Sequence, residues 1–223
     1  MSKYTIQINI SDATLSILTA NNWQLQVFKG VKSGASGKIT LWQHITTFNN
    51  IIKLEWEDQY GGYVDKSAIK NGATIDVTSK TRPMEIGQRM TLNADSTVSL
   101  TTLDARADAF TFFSVKNEEW VCGVSQFANN AYSPLCVFNL YGHTANFIEP
   151  YDKVVLVFST EQVDTGSVVE DAIGASVEVT LSPDFPTISL GYDINTSWAT
   201  NGNVYAKVNP LPIALADALI IPF

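Results

Sequence analysis

Apolar and polar residues alternate with a period of two along most of the chain, which is the pattern of strands that bury one face. Tyr4, Ile6, Ile8 and Ile10 share a face, as do Trp23, Leu25 and Val27, while Ile52, Leu54 and Trp56 lie opposite Lys53, Glu55 and Glu57. The alternation returns at Ile75 and Val77, at Val98 and Leu100, in the denser run from Phe110 to Val115, and over residues 153–160, 177–181, 188–192 and 204–208. Turn-forming clusters separate these runs: Ser33-Gly34-Ala35-Ser36-Gly37, Asn71-Gly72, Asn93-Ala94-Asp95 and Asn201-Gly202-Asn203. The pattern predicts an all-β chain of a dozen or more strands with little helix, built as an antiparallel two-sheet β-sandwich.

Helical spacing is confined to the stretch from Ile213 to Ile220, bracketed by Pro212 and Pro222, which reads as one short helix or one strand. The tail from Leu211 to Phe223 is so apolar that it must dock, either on its own body or on a neighbouring subunit as the arm of a homo-oligomer. Neither a repeat nor a Pro-rich linker divides the 223 residues, so a single domain over 1–223 is expected. The alternative is two intimately packed β halves, about 1–105 and 106–223. The first half carries a net charge of +1 and the second −9.

That imbalance, with an overall charge of −8, disfavours attraction to nucleic-acid phosphates or anionic membranes. No apolar run approaches the length of a transmembrane segment, and Gln7 and Asn9 interrupt the one hydrophobic stretch near the amino terminus. The expectation is a cytoplasmic protein without a signal peptide, one that can leave the cell without a classical signal. The acidic half contains no calcium loop, and His44 and His143 have no partners at zinc spacing, so neither metal nor cofactor is expected. A phosphate loop fails at Lys32 and Ile39 around Gly37-Lys38, and a nucleophile elbow fails at Phe127 after Gly123-Val124-Ser125-Gln126. Glu55 and Glu57 share a strand face at about 6.6 Å along the backbone, a spacing that glycosidase acids also use, but Lys53 beside them marks an ordinary solvent face.

Cys122 and Cys136 fall in predicted strands, residues 119–125 and 134–140, on either side of the turn-rich stretch 127–133, which reads as a hairpin centred near Asn129. A hairpin centred there sets the two opposite each other and makes them a candidate disulfide; in a reducing compartment they remain two buried free thiols.

Two aromatic groups stand out. In the first, Trp56, Tyr60 and Tyr63 flank Gly61 and Gly62, which let a ligand or another backbone come close; the second holds Tyr192, Trp198 and Tyr205. Such rings stack on sugars or sit among lipid headgroups, and equally serve as cross-strand packing with the glycines marking a bulge. Trp56, Tyr60, Tyr63, Tyr192 and Trp198 are the candidate ligand-binding residues.

Four segments carry a family resemblance: Val27-Phe28-Lys29-Gly30-Val31-Lys32, Leu54-Glu55-Trp56-Glu57-Asp58-Gln59-Tyr60, Lys153-Val154-Val155-Leu156-Val157-Phe158 followed by Thr165-Gly166, and Ile188-Ser189-Leu190-Gly191-Tyr192-Asp193. Together they resemble a group of uncharacterised, leaderless all-β proteins of fungi and bacteria, of similar length and with no known activity. The resemblance implies a fold and a single domain, and no site residues. The chain therefore reads as a non-enzymatic recognition protein for a glycan or lipid headgroup, lectin-like or membrane-active, with a defensive role. Two other readings stand beside it: a self-assembling structural or storage protein, and an enzyme such as a cyclase working through an apolar pocket.

Overall fold

The alternation at the amino terminus becomes the strand Lys3–Ile10, with Tyr4, Ile6, Ile8 and Ile10 buried and the residues between them partly exposed. It is seen in a computed structural model that describes residues 2–67, 69–75 and 82–223. The expected position Val77 lies outside the described residues. Lys3–Ile10 runs antiparallel to Ile51–Glu57 and parallel to Thr187–Asp193, and Ser197–Ala199 completes this four-stranded sheet.

Strand makes up 54% of the structure and helix 7%, so the all-β expectation holds. The sheet count differs from the two that were expected. A nine-stranded sheet is centred on Gln24–Lys32 and Ala145–Ser159, a seven-stranded sheet on Tyr60–Asp65, Trp120–Ala128 and Cys136–Leu140, and Asp171–Ala172 pairs separately with Ile213–Ala214. The long strands change partners along their length. Ala145–Ser159 pairs with Phe110–Ser114 at its start and with Gln24–Lys32 and Ser176–Thr180 further on, with a register shift between Tyr151 and Val154. Such a bulge bends the strand and raises its twist. Strands from both sides of residue 105 share all three large sheets, and one buried apolar cluster runs through them. A smaller cluster, Tyr63, Ile75, Val121, Val137 and Val168, is separate.

A helix absent from the sequence expectation spans Asp12–Ala20. Ser11 caps it, its hydroxyl accepting from the Thr14 amide at 3.2 Å, but only Thr14 and Leu18 are buried. With so narrow a stripe there is little periodicity to read, and the cap is the remaining signal. The carboxyl-terminal tail is settled on its own body. Leu215–Leu219 forms a short helix with both end leucines fully buried, Ile220–Ile221 pairs with Gln24–Lys32, and Lys153 Nζ donates to the Ala218 carbonyl at 2.8 Å. At the ends of the tail, Leu211 and Phe223 stay 71% and 46% exposed.

The hairpin around Asn129 and Asn130 forms, with both residues at positive φ (51° and 64°) as a two-residue turn of this kind prefers. Ser125 faces Pro134, but Cys122 faces Phe138, so one extra residue at Leu135 shifts the register beyond the turn. The two cysteines are therefore not opposite each other, and both are buried free thiols. Burial pushes each thiol up to about 12.

Candidate functional site

Along Gln24–Lys32 the positions Leu25, Val27 and Val31 are fully buried, and the same parity places Lys29 among them, also with no exposure. An isolated ammonium there would be prohibitively costly to desolvate, so its surroundings must supply charge and acceptors. They come from several strands that meet at a corner of the three large sheets. Asp152 Oδ1 lies 2.8 Å from Lys29 Nζ, Gln126 Oε1 accepts at 2.7 Å, and the Tyr60 hydroxyl accepts at 3.5 Å. Gln126 and Tyr60 thus take hydrogen bonds from the ammonium, and Asp152 balances its charge. The faces of Trp56, Tyr60 and Trp42 lie 5.2, 5.5 and 5.6 Å from the nitrogen, a cation–π enclosure in a desolvated setting. Trp42 meets Trp56 edge-on and Tyr4 stacks on it, while the indole nitrogens of Trp42 and Trp56 are buried without an acceptor.

Each member is positioned by a local feature. Asp152 belongs to the bulge in Ala145–Ser159: Tyr151 pairs with Gly30 and Val154 with Lys29, so Asp152 and Lys153 are the two residues left over beside Lys29. Re-aiming a side chain is what such a bulge does. Asp58 sits at the turn where the chain leaves Ile51–Glu57 for Tyr60–Asp65, held by the Gln59 amide on the Glu57 carbonyl and the Phe127 amide on the Gln59 carbonyl, both 2.8 Å. The Gln126 side chain ties the same turn through Nε2 to the Glu57 carbonyl at 2.9 Å. The Tyr60 hydroxyl donates to Asp58 Oδ1 at 3.1 Å. The result is a relay of contacts, Asp58 to Tyr60 to Lys29 to Asp152.

Burial drives the electrostatics. It lowers the Lys29 ammonium from its ordinary value, opposed by Asp152 and Asp58. Burial and the like charge of Asp152 raise the Asp58 carboxyl, and the same two causes raise the Tyr60 and Tyr4 phenols. Outside this relay lies a cleft of about 430 Å³ lined by Asp58, Tyr60, Met84, Glu85, Ile86, Pro150 and Asp152. An adjoining hollow of about 350 Å³ shares Asp58, Tyr60, Met84 and Glu85 and reaches Gln88 and Tyr132. Lys29 is sealed behind Asp152, whose side chain keeps 19% of its exposure. Among the described residues no three His, Cys, Asp or Glu side chains converge as metal ligands.

The structure separates the residues singled out in the sequence. Trp56 and Tyr60 meet at this corner, Trp56 in the wall behind Lys29 and Tyr60 at the cleft. Tyr63 does not join them: it is fully buried on the other side of its strand, and its hydroxyl donates to the Cys136 carbonyl at 2.6 Å. The glycine beside it serves packing, since a Cβ at Gly62 would overlap Met84 Sδ. Tyr192 and Trp198 are core residues packed on Phe158 at 4.2 and 5.4 Å, with Trp198 Nε1 donating to the Ala175 carbonyl at 3.2 Å. Glu55 and Glu57 project to solvent, and Lys3 pairs with Glu55 at 3.6 Å. Lys29, Asp58, Gln126 and Asp152 were missed as site residues. One signal was present: in Leu25-x-Val27-x-Lys29-x-Val31 a lysine occupies an apolar parity position.

No family model, no curated protein and no solved structure matches this chain. Among the described residues no helix is long and apolar enough to cross a membrane.

Proposed function

We propose that the protein is a recognition module for a neutral, hydroxyl-rich glycan, held in the cleft between Asp58 and Asp152. The observation that carries this reading is the anchoring of the two carboxylates: Asp152 is tied through Oδ1 to Lys29 and Asp58 through Oδ1 to Tyr60. Asp58 keeps a second oxygen to accept from a ligand hydroxyl without first having to be ordered, and Asp152, which also meets the Tyr4 hydroxyl, is held at the opposite wall. Tyr60, Met84, Ile86 and Pro150 supply the apolar wall on which the CH face of a sugar ring rests.

Charge argues for a glycan over a phosphate headgroup. Asp58, Glu85 and Asp152 line the cleft, and Lys29 behind them is already enclosed. Its ammonium is paired with Asp152 and donates to Gln126 and Tyr60, which suits a positioning role and not that of a nucleophile.

The test is a titration of the intact protein with cellotriose, chitotriose, maltotriose, laminaritriose and mannotriose, followed by amide chemical shifts. The expected result is that at least one trisaccharide shifts resonances at Asp58, Gln59 and Tyr60, and that Asp58→Asn weakens its binding by about tenfold, or 1.4 kcal/mol. If no trisaccharide moves these resonances while phosphatidylcholine–phosphatidylserine vesicles pellet the protein, the glycan reading is replaced by a lipid one.

A further inference from the structure

Tyr205 grouped with Tyr192 and Trp198 in the sequence, yet it alone of the three stays at the surface, 39% exposed. It packs on Phe185, itself 49% exposed, with ring centroids 4.5 Å apart and planes inclined at 33°. Val204 beside them is 86% exposed. Both rings line a groove of about 260 Å³, with Leu181, Thr187, Ile188, Gly202, Asn203 and Val204 completing its walls. Tight turns fix both rings. Ser182 and Phe185 exchange backbone hydrogen bonds of 3.4 and 2.9 Å, Asn201 and Gly202 turn at positive φ, and Asn203 Oδ1 accepts from the Tyr205 amide at 2.9 Å. The Tyr205 carbonyl in turn accepts from the Thr180 amide at 2.9 Å.

We infer that this groove is a second saccharide-binding site, for a neutral glycan, which makes the protein bivalent. It shares no lining residue with the Asp58–Asp152 cleft and stands on a different observation: a preorganised, exposed aromatic pair between neutral hydrogen-bonding groups. No charged side chain lines the groove, so nothing there would offset the desolvation of a charged ligand. Two partly exposed rings offer an apolar face for sugar CH groups, and Thr187 and Asn203 bring polar side chains to the same lining. Size argues against a second copy of the chain as the occupant. Eight residues line the groove, against roughly 20–30 per side in a stable protein interface.

The experiment uses the whole protein and the same five trisaccharides, up to about 10 mM, where a site with a Kd near 1 mM is filled. The expected result is a shift of the Gly202, Asn203 and Tyr205 amides that survives Asp58→Asn and is weakened at least about tenfold by Tyr205→Ser. Val204→Asp is the second variant, an exposed position where a carboxylate blocks the groove without touching the core, and it should weaken binding to the same extent. The inference is overturned if none of the trisaccharides moves these amides, or if the amides shift with protein concentration alone, which assigns the patch to self-association. Because Asp58→Asn acts only on the cleft, loss of one site is read separately from loss of the other.

Discussion

Around Lys29 the aromatic rings enclose a charge; around Phe158 they enclose only one another. In the first region Trp42, Trp56 and Tyr60 turn their faces to an ammonium whose counter-ion, Asp152, also borders a cleft. In the second, Phe48, Tyr192 and Trp198 pack on Phe158 with centroids 4.2–5.7 Å apart. Both are rich in rings and both lie almost wholly out of water. The difference is what else each contains: a desolvated charge obliges the neighbouring chain to bring acceptors and acids to one place, and those groups then reach the surface. A charge-free cluster makes no such demand and closes over.

The largest effect expected is common to both regions and comes from alkali. The buried Cys122 and Cys136 thiols and the Tyr192 phenol are pushed up to about 12, and burial also raises the Tyr4, Tyr60 and Tyr63 phenols. In the unfolded chain these groups lose their protons at the ordinary values of 9 for a thiol and 10 for a phenol, so the unfolded state binds fewer protons above that range. Their contribution is complete below pH 9 and is lost as the pH rises through about 12. Lys29, lowered by burial, works in the opposite sense, but it is one group. Thermal melts between these limits should show Tm falling steadily; a flat profile means that the thiols and phenols are accessible.

Next in size, and specific to the charged region, Asp152→Ala leaves Lys29 buried without its counter-ion and should cost about 3–5 kcal/mol in urea unfolding. Adding Lys29→Met should recover most of that loss, since the charge needing compensation is gone. Should the single variant lose under about 1 kcal/mol, the pair does not constrain the corner as argued. In the neutral cluster, Tyr192→Ala should cost about 3 kcal/mol through the cavity it leaves, with trisaccharide titrations unaltered. A change in binding there would erase the functional distinction between the two regions.

Smaller again is Gly62→Ala, whose methyl meets Met84 Sδ and Phe112; overpacking of this kind costs about 1–3 kcal/mol, measured by the same unfolding midpoint. Asp58→Asn should change stability least, within about 0.5 kcal/mol, because Asp58 is half-exposed at a turn. It is nevertheless the substitution expected to weaken saccharide binding in the cleft, and a loss of fold without a change in titration reverses its assigned role.

Some of the site was readable from local pattern. Trp56 and Tyr60 were picked out beside the glycines, and both reach the Lys29 corner. Tyr63 failed by parity: three residues beyond Tyr60 it falls on the opposite face of the strand, in the smaller cluster. Asp152 carried no signal, since its direction depends on a bulge defined by pairing with Gln24–Lys32, more than a hundred residues earlier in the chain. The cysteine pairing failed for a related reason: the turn is centred between Asn129 and Asn130 and not on Asn129, and one extra residue at Leu135 adds a second step, so that Cys122 faces Phe138.

The sequence by itself determined what period-two alternation and turn chemistry encode: an all-β chain, the faces of Lys3–Ile10 and Ile51–Glu57, a hairpin turn near Asn129, and an apolar tail that had to dock. Those are short-range properties, set by backbone geometry and by which side chains avoid water. The tertiary structure decided how many sheets form, where strands bulge and change partners, and which of two similar aromatic groups surrounds a charge. These depend on contacts between residues far apart in the chain, and a one-residue change of register is enough to turn a side chain from the core to the cleft.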